Sequence, residues 1–83
     1  MTLLYFAWLR QKIGRGEERI ELPADVKTAA DLVAYLRTRG PGYADAFSDM
    51  KRIRVAINQD HSSLDAALSA NDEIAFFPPV TGG

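Results

Sequence analysis

The 83-residue sequence contains no cysteine, which removes disulfides, thiolate metal sites and any cysteine nucleophile or persulfide carrier. Sulfur handled by such a protein has to sit somewhere other than a side-chain thiol. No apolar run approaches the roughly 18 residues of a membrane span, and no basic segment precedes an apolar stretch at the N-terminus. Neither a span nor a signal peptide is therefore expected, and a cytoplasmic location is. Charge of one sign is lacking too: ten Lys and Arg against eleven Asp and Glu leave a net charge of −1, which favours neither nucleic acid nor a membrane surface in bulk. The basic cluster Lys51, Arg52 and Arg54 reads as a solvated edge. His61 is the single histidine, and Asp60, Ser62 and Asp65 beside it supply the letters of a triad or metal site. A triad needs its members held by separate elements, whereas these crowd one polar turn. Gly14-Arg15-Gly16 lacks the spacing and the Lys-Ser/Thr of a phosphate loop. No intrinsic catalytic or metal site is expected, and no bound cofactor.

What is present suits one small domain near the lower size limit for a self-sufficient core, with 47% hydrophobic and 25% charged residues. Leu3 to Leu9 is nearly all apolar and predicts a central strand covered on both faces. Gln11 to Glu17 reads as a turn, and Glu18 to Leu22 as a half-exposed strand closing a hairpin. Thr28 is the expected N-cap of a helix, with Asp31 in the capping-box position and Ala29, Leu32, Val33 and Leu36 as its apolar stripe. Gly40-Pro41-Gly42 ends that helix. Tyr43 and Phe47, four apart, suggest a short second helix, with Asp45 and Asp49 on its outer side. Arg52 to Ile57 alternates as a third strand, Asn58 to Ser63 reads as a polar turn, and Glu73 to Phe77 as the last strand. The fold class predicted is α+β: a mixed sheet of four to five strands, one main helix on one face and a short second helix.

One helix covers one face only. Strand parity then leaves an apolar patch with Phe6, Trp8 and Phe77 on the open face, and contiguous exposed apolar surface with aromatics marks a partner site. Arg10 continues the parity of Phe6.

The end of the chain, Phe76-Phe77-Pro78-Pro79-Val80-Thr81-Gly82-Gly83, is the most informative stretch. Two prolines stop the strand and stiffen the exit, and a chance Gly-Gly terminus arises roughly once in 200. Glycine there packs nothing; its use is to pass where a side chain does not fit. Six residues from Pro78 reach about 20 Å, enough to enter a slot in another protein. The division expected is thus a domain at 1–77 and an extended tail at 78–83, with the tail as the working end. A terminal carboxylate is ionised and a poor electrophile. Acyl chemistry on it requires activation, most simply as a mixed anhydride with AMP, which a thiol, persulfide or amine then displaces.

This ending resembles the C-terminal signature of the MoaD family, the small sulfur-carrier subunits of molybdopterin synthase. Tyr5-Phe6-Ala7-Trp8-Leu9-Arg10 with Gly14, Val55-Ala56-Ile57-Asn58-Gln59 and Asp72-Glu73-Ile74-Ala75 are similar to family segments, in the right order over essentially the whole chain. The resemblance implies a β-grasp, ubiquitin-like fold. It implies that a MoeB-type enzyme uses Mg-ATP to adenylate the Gly83 carboxylate, and that a sulfur donor converts it to a thiocarboxylate. It also implies docking on a MoaE-type large subunit, as a 2+2 heterotetramer, with Val80, Thr81 and Gly82 inserted into its active site and sulfur passed to cyclic pyranopterin monophosphate. Phe6, Arg10 and Phe77 match family positions on the docking face. Thiocarboxylate carriers for thiamine, cysteine or tRNA thiolation resemble this chain as well, as do ubiquitin-like modifiers conjugated through the terminal glycine. A plain interaction module with an incidental tail is the remaining alternative.

Overall fold

The computed structural model describes residues 1–79. Strand β1 (Thr2–Tyr5) runs into helix α1 (Ala7–Ile13), followed by β2 (Glu17–Arg19), helix α2 (Ala29–Arg37), helix α3 (Pro41–Ala46), a 3-10 turn (Met50–Arg52), β3 (Arg54–Ile57), β4 (Asp60–Ser62) and β5 (Glu73–Phe77). The five strands form one sheet in the order β2-β1-β5-β3-β4. Only β1 and β5 pair in parallel, with Leu3 beside Ile74 and Tyr5 beside Phe76; the other pairs are antiparallel. A mixed sheet with its first and last strands side by side and α2 packed across it is the β-grasp arrangement.

Helix α2 forms as its sequence predicts. The Thr28 side chain accepts from the Asp31 N–H, and the Asp31 carboxylate accepts from the backbone N–H of Thr28, a complete capping box. Its Ala29, Leu32, Val33 and Leu36 join Leu3, Tyr5, Val55, Ile74 and Phe76 in a single core. Phe47 closes one end of that core, edge-on to Phe76 at 5.0 Å between ring centroids.

The run Leu3 to Leu9 is not one strand. The chain turns a corner at Phe6-Ala7: Phe6 is the extended N-cap of α1, and Ala7 takes φ 55°, a left-handed value. The apolar continuity misleads because strand parity up to Tyr5 gives way to helical spacing, in which Leu9 and Ile13 fall four apart and turn toward the core. Gln11 to Ile13 is accordingly helix, and only Gly14 at φ 93° caps it. β1 and β2 are joined through α1 rather than by a tight hairpin turn. The sheet therefore carries two short helices, α1 and α3, besides α2. A further correction concerns Asn58 to Ser63. Ile57 pairs with Asp60, and Asn58 and Gln59 both have positive φ (52° and 72°), so a two-residue hairpin leads into β4.

Gly40-Pro41-Gly42 does more than stop α2. Pro41 occupies the first turn of α3, and a Cβ on Gly42 would lie 2.5 Å from the Lys12 carbonyl oxygen. That close approach of α3 to the end of α1 demands a missing side chain. Gly42→Ala is expected to lower stability by about 1–3 kcal/mol through overpacking. Ala7→Gly, relieving a left-handed alanine, is expected to raise it by up to about 1 kcal/mol. Urea unfolding of both variants checks the two signs.

Candidate docking face and tail root

The face of the sheet away from α2 is built by the register of four strands. Leu4 lies beside Ala75, Ala75 beside Ala56, and Ala56 beside His61, while Phe77 lies beside Arg54. Ala75 on β5 and Ala56 on β3 make a low floor between larger side chains. The imidazole of His61 stands edge-on to Phe77, 5.3 Å between ring centroids. Phe6 continues the β1–β5 ladder, its N–H donating to the Phe76 carbonyl at 3.1 Å. At 48% exposure it is the large hydrophobic side chain left most open among the described residues. Phe6 shares a depression with Leu4, Arg10, Gly16 and Glu17.

The residues predicted for docking thus fall into two places. Phe6, Arg10 and Phe77 border the open side of the sheet, although Arg10 arrives there from the last turn of α1 rather than along a strand. Trp8 does not share that face. It is half-buried against the core, with the Arg52 guanidinium 5.3 Å from its ring centroid, in a separate cleft with Lys12, Asp45 and Asp49. Asp45 pairs with Lys12 at 2.7 Å, and Asp49 caps the 3-10 turn by accepting from the Lys51 N–H. Arg54 donates to the Lys51 and Ile53 carbonyls, so two of the three residues of the basic cluster are engaged locally.

The start of β5 is fixed by its neighbours. The Asn58 amide bridges to the start of β5, donating to Asp72 and accepting from the Glu73 N–H. With β5 parallel to β1, Phe77 ends at the same edge where Phe6 turns into α1. Pro78 and Pro79 leave the sheet there without secondary structure. The predicted tail residues Val80, Thr81, Gly82 and Gly83 lie outside the described residues.

One group next to this face was missed. Glu18, on β2, is buried on the core side beside Leu3. Its carboxylate accepts from the Tyr5 hydroxyl at 2.7 Å, the Tyr43 hydroxyl at 2.6 Å and Arg39 at 2.9 Å. Burial raises its pKa, but the hydrogen bonds from Tyr43, Tyr5 and Arg39 outweigh burial and hold it below the ordinary carboxylate value. Burial, and then the bond to Glu18, push the Tyr5 and Tyr43 phenols up. The sequence carried a signal: Glu18 has the parity of Ile20 and Leu22, the apolar side of its strand.

These features define a small ubiquitin-like protein of the β-grasp class, with an open aromatic face beside the root of a C-terminal tail. The chain belongs to the ThiS family, whose profile matches residues 3–83. It is 42% identical over 83 residues to a Haemophilus influenzae protein named molybdopterin synthase sulfur carrier subunit, covering 100% of this chain and 99% of that one. It is 38% identical to the protein of the same name from Escherichia coli, with the same coverage. Its fold is similar to that of the crystal structure of SAMP1 from Haloferax volcanii, with a TM-score of 0.77 and 32% identity over 100% of this chain and 98% of that one.

The lowered pKa of Glu18 sets a sign for acid stability. Its contribution is complete above the unfolded-state value of about 4.3 and is lost as pH falls from there through the lower folded value. Urea unfolding between neutral and acid pH is expected to show Glu18→Gln less stable than the parent by about 1–3 kcal/mol at pH 7. The difference should shrink below about pH 4.3.

Proposed function

We propose that the protein is the sulfur carrier of a molybdopterin synthase. An ATP-dependent enzyme of the MoeB type joins the Gly83 carboxylate to AMP with release of pyrophosphate. A sulfur donor then displaces AMP, and the carbonyl carbon exchanges its bond to the phosphate oxygen for one to sulfur, leaving a thiocarboxylate. The carrier docks through the open face on a large subunit of the MoaE type, in a 2+2 assembly, with Val80 to Gly83 inserted. The sulfur forms a bond to a carbon of cyclic pyranopterin monophosphate as a carbon–oxygen bond of that substrate breaks, and water then cleaves the acyl–sulfur link, returning the carboxylate and leaving the sulfur on the substrate. Two carriers supply the two sulfurs of the dithiolene. Mg and ATP belong to the activating enzyme; the carrier holds no cofactor of its own.

The observation that carries this reading is the placing of Phe6 and Arg10 at the edge of the sheet from which the tail departs. A protein that covers Phe6 also meets the tail at its root. The absence of cysteine agrees with sulfur carried on the chain terminus. The full-length likeness to proteins named sulfur carrier subunits supports the same pathway.

A second reading is favoured by the likeness to structures of small archaeal modifier protein 1 (SAMP1), from Haloferax volcanii and Methanosarcina acetivorans. As a modifier, the chain shares the adenylation step but passes the Gly83 acyl group to an amine, giving an isopeptide.

Intact mass of the protein from its own cells separates the two. The carrier is expected to show a species heavier by one sulfur-for-oxygen exchange, mapped to Gly83. Deleting Gly83 is expected to abolish molybdopterin formation in a reconstituted assay. A ladder of lysine-linked conjugates without the sulfur adduct overturns the carrier in favour of the modifier. Retention of activity without Gly83 overturns both.

A further inference from the structure

Gly14-Arg15-Gly16, set aside as a phosphate loop, builds something else. Arg10 and Arg15 line one cleft of about 610 Å³ together with Gln11, Gly14 and Gly16. Arg15 stands 3.6 Å from the nearer Glu18 oxygen, beyond hydrogen-bond reach. Glu18 is already engaged by two phenols and Arg39. Among the described residues Arg10 makes no ion pair. Arg15 is thus ion-paired with Glu18 without a hydrogen bond, and both guanidinium groups keep donors free, with Glu17 at the border of the neighbouring depression.

Gly16 gives Arg10 its position. A Cβ at residue 16 would lie 3.1 Å from Arg10 Nε and 3.2 Å from Cζ, so the guanidinium stem rests on the bare backbone. That backbone is held in turn, since the Gly16 carbonyl accepts from the Tyr5 N–H at 2.9 Å. Arg10 and Gly16 also border the depression that holds Phe6 and Leu4. A protein lying over Phe6 therefore brings its neighbouring side chains over the arginine pair.

We infer that the Arg10–Arg15 cleft receives an acidic side chain of the protein that covers Phe6, with Gly16 as the seat that holds Arg10 toward it. A carboxylate matches the planar guanidinium fork and fits beside an apolar anchor. The inference rests on the docking reading above and adds to it the chemistry of the partner surface. Gly16 is a positioning residue and acts only through Arg10.

The test is binding of the full chain to the purified large subunit and to the adenylating enzyme, at several salt concentrations. Arg15→Gln is expected to weaken binding to the large subunit by about tenfold, and Arg15→Glu further, with a flatter salt dependence. Arg37→Glu, at the end of α2 and lining a different depression, is expected to bind as the parent does. Gly16→Ala is expected to weaken binding, but to add nothing once Arg10 is already alanine, a result that general destabilisation would not produce. Thermal melting checks that each variant is folded. If the parent binds and both Arg15 variants bind equally well with the same salt slope, the inference is overturned and the functional reading stands. If the parent binds neither protein, both fall.

Discussion

The parallel pairing of β1 with β5 is the constraint on which the rest depends. It places the two ends of the folded domain in adjacent inner strands, with Tyr5 beside Phe76, and both strands leave the sheet at the same edge. One strand then turns into α1 and presents Phe6 and Arg10; the other runs out into Pro78 and Pro79. Parallel strands require a long crossover, and here nearly the whole domain serves as that crossover, with α2 covering one face. The other face stays open because α1 and α3 lie at the ends of the core. The proposed docking residue Phe6 and the end of the last strand at Phe77 are therefore neighbours in space while being some seventy residues apart in sequence.

Just before the corner at Phe6-Ala7, the Tyr5 side chain is held on the core side by Glu18. A carboxylate on the buried side of a three-residue edge strand is costly unless fully paired. Tyr5, Tyr43 and Arg39 pair it, tying β2 to β1, to α3 and to the loop before α3. The network has a consequence at the surface. Because Glu18 is saturated from within, Arg15 outside it keeps its hydrogen-bond donors free. A buried stabilising cluster thus leaves positive charge available on the face where a partner is proposed to sit.

On the proposed reading, a carrier with no thiol holds its sulfur on the terminal carboxylate as an acyl species. Its chemistry demands little of the domain beyond presentation: a rigid root, a stiff exit at Pro78-Pro79 and a face that partners recognise. Asn58 illustrates the first demand. Its two side-chain bonds to Asp72 and Glu73 lock the β3–β4 hairpin to the start of β5, so the strand that ends in the tail is fixed at its far end as well.

Local sequence by itself determined what local forces decide. The Thr28 capping box and the stripe Ala29, Leu32, Val33 and Leu36 specify α2; alternation specifies β3; and an apolar run closed by two prolines specifies β5. The patch containing Phe6 and Phe77 was legible from parity because β1 and β5 obey it up to Tyr5 and Phe77. Only the tertiary structure decided where Leu3 to Leu9 stops being a strand, since an unbroken apolar run has no period with which to distinguish a strand from the first turn of a helix. That corner moved Trp8 away from the face and brought Arg10 to it by another route. The burial of Glu18, the need for glycine at residue 42 and the meeting of Arg10 with Arg15 likewise depend on side chains and backbones from different elements. Contacts of that kind have no local pattern in the sequence, because they are set by how separate elements pack and not by what each residue favours on its own.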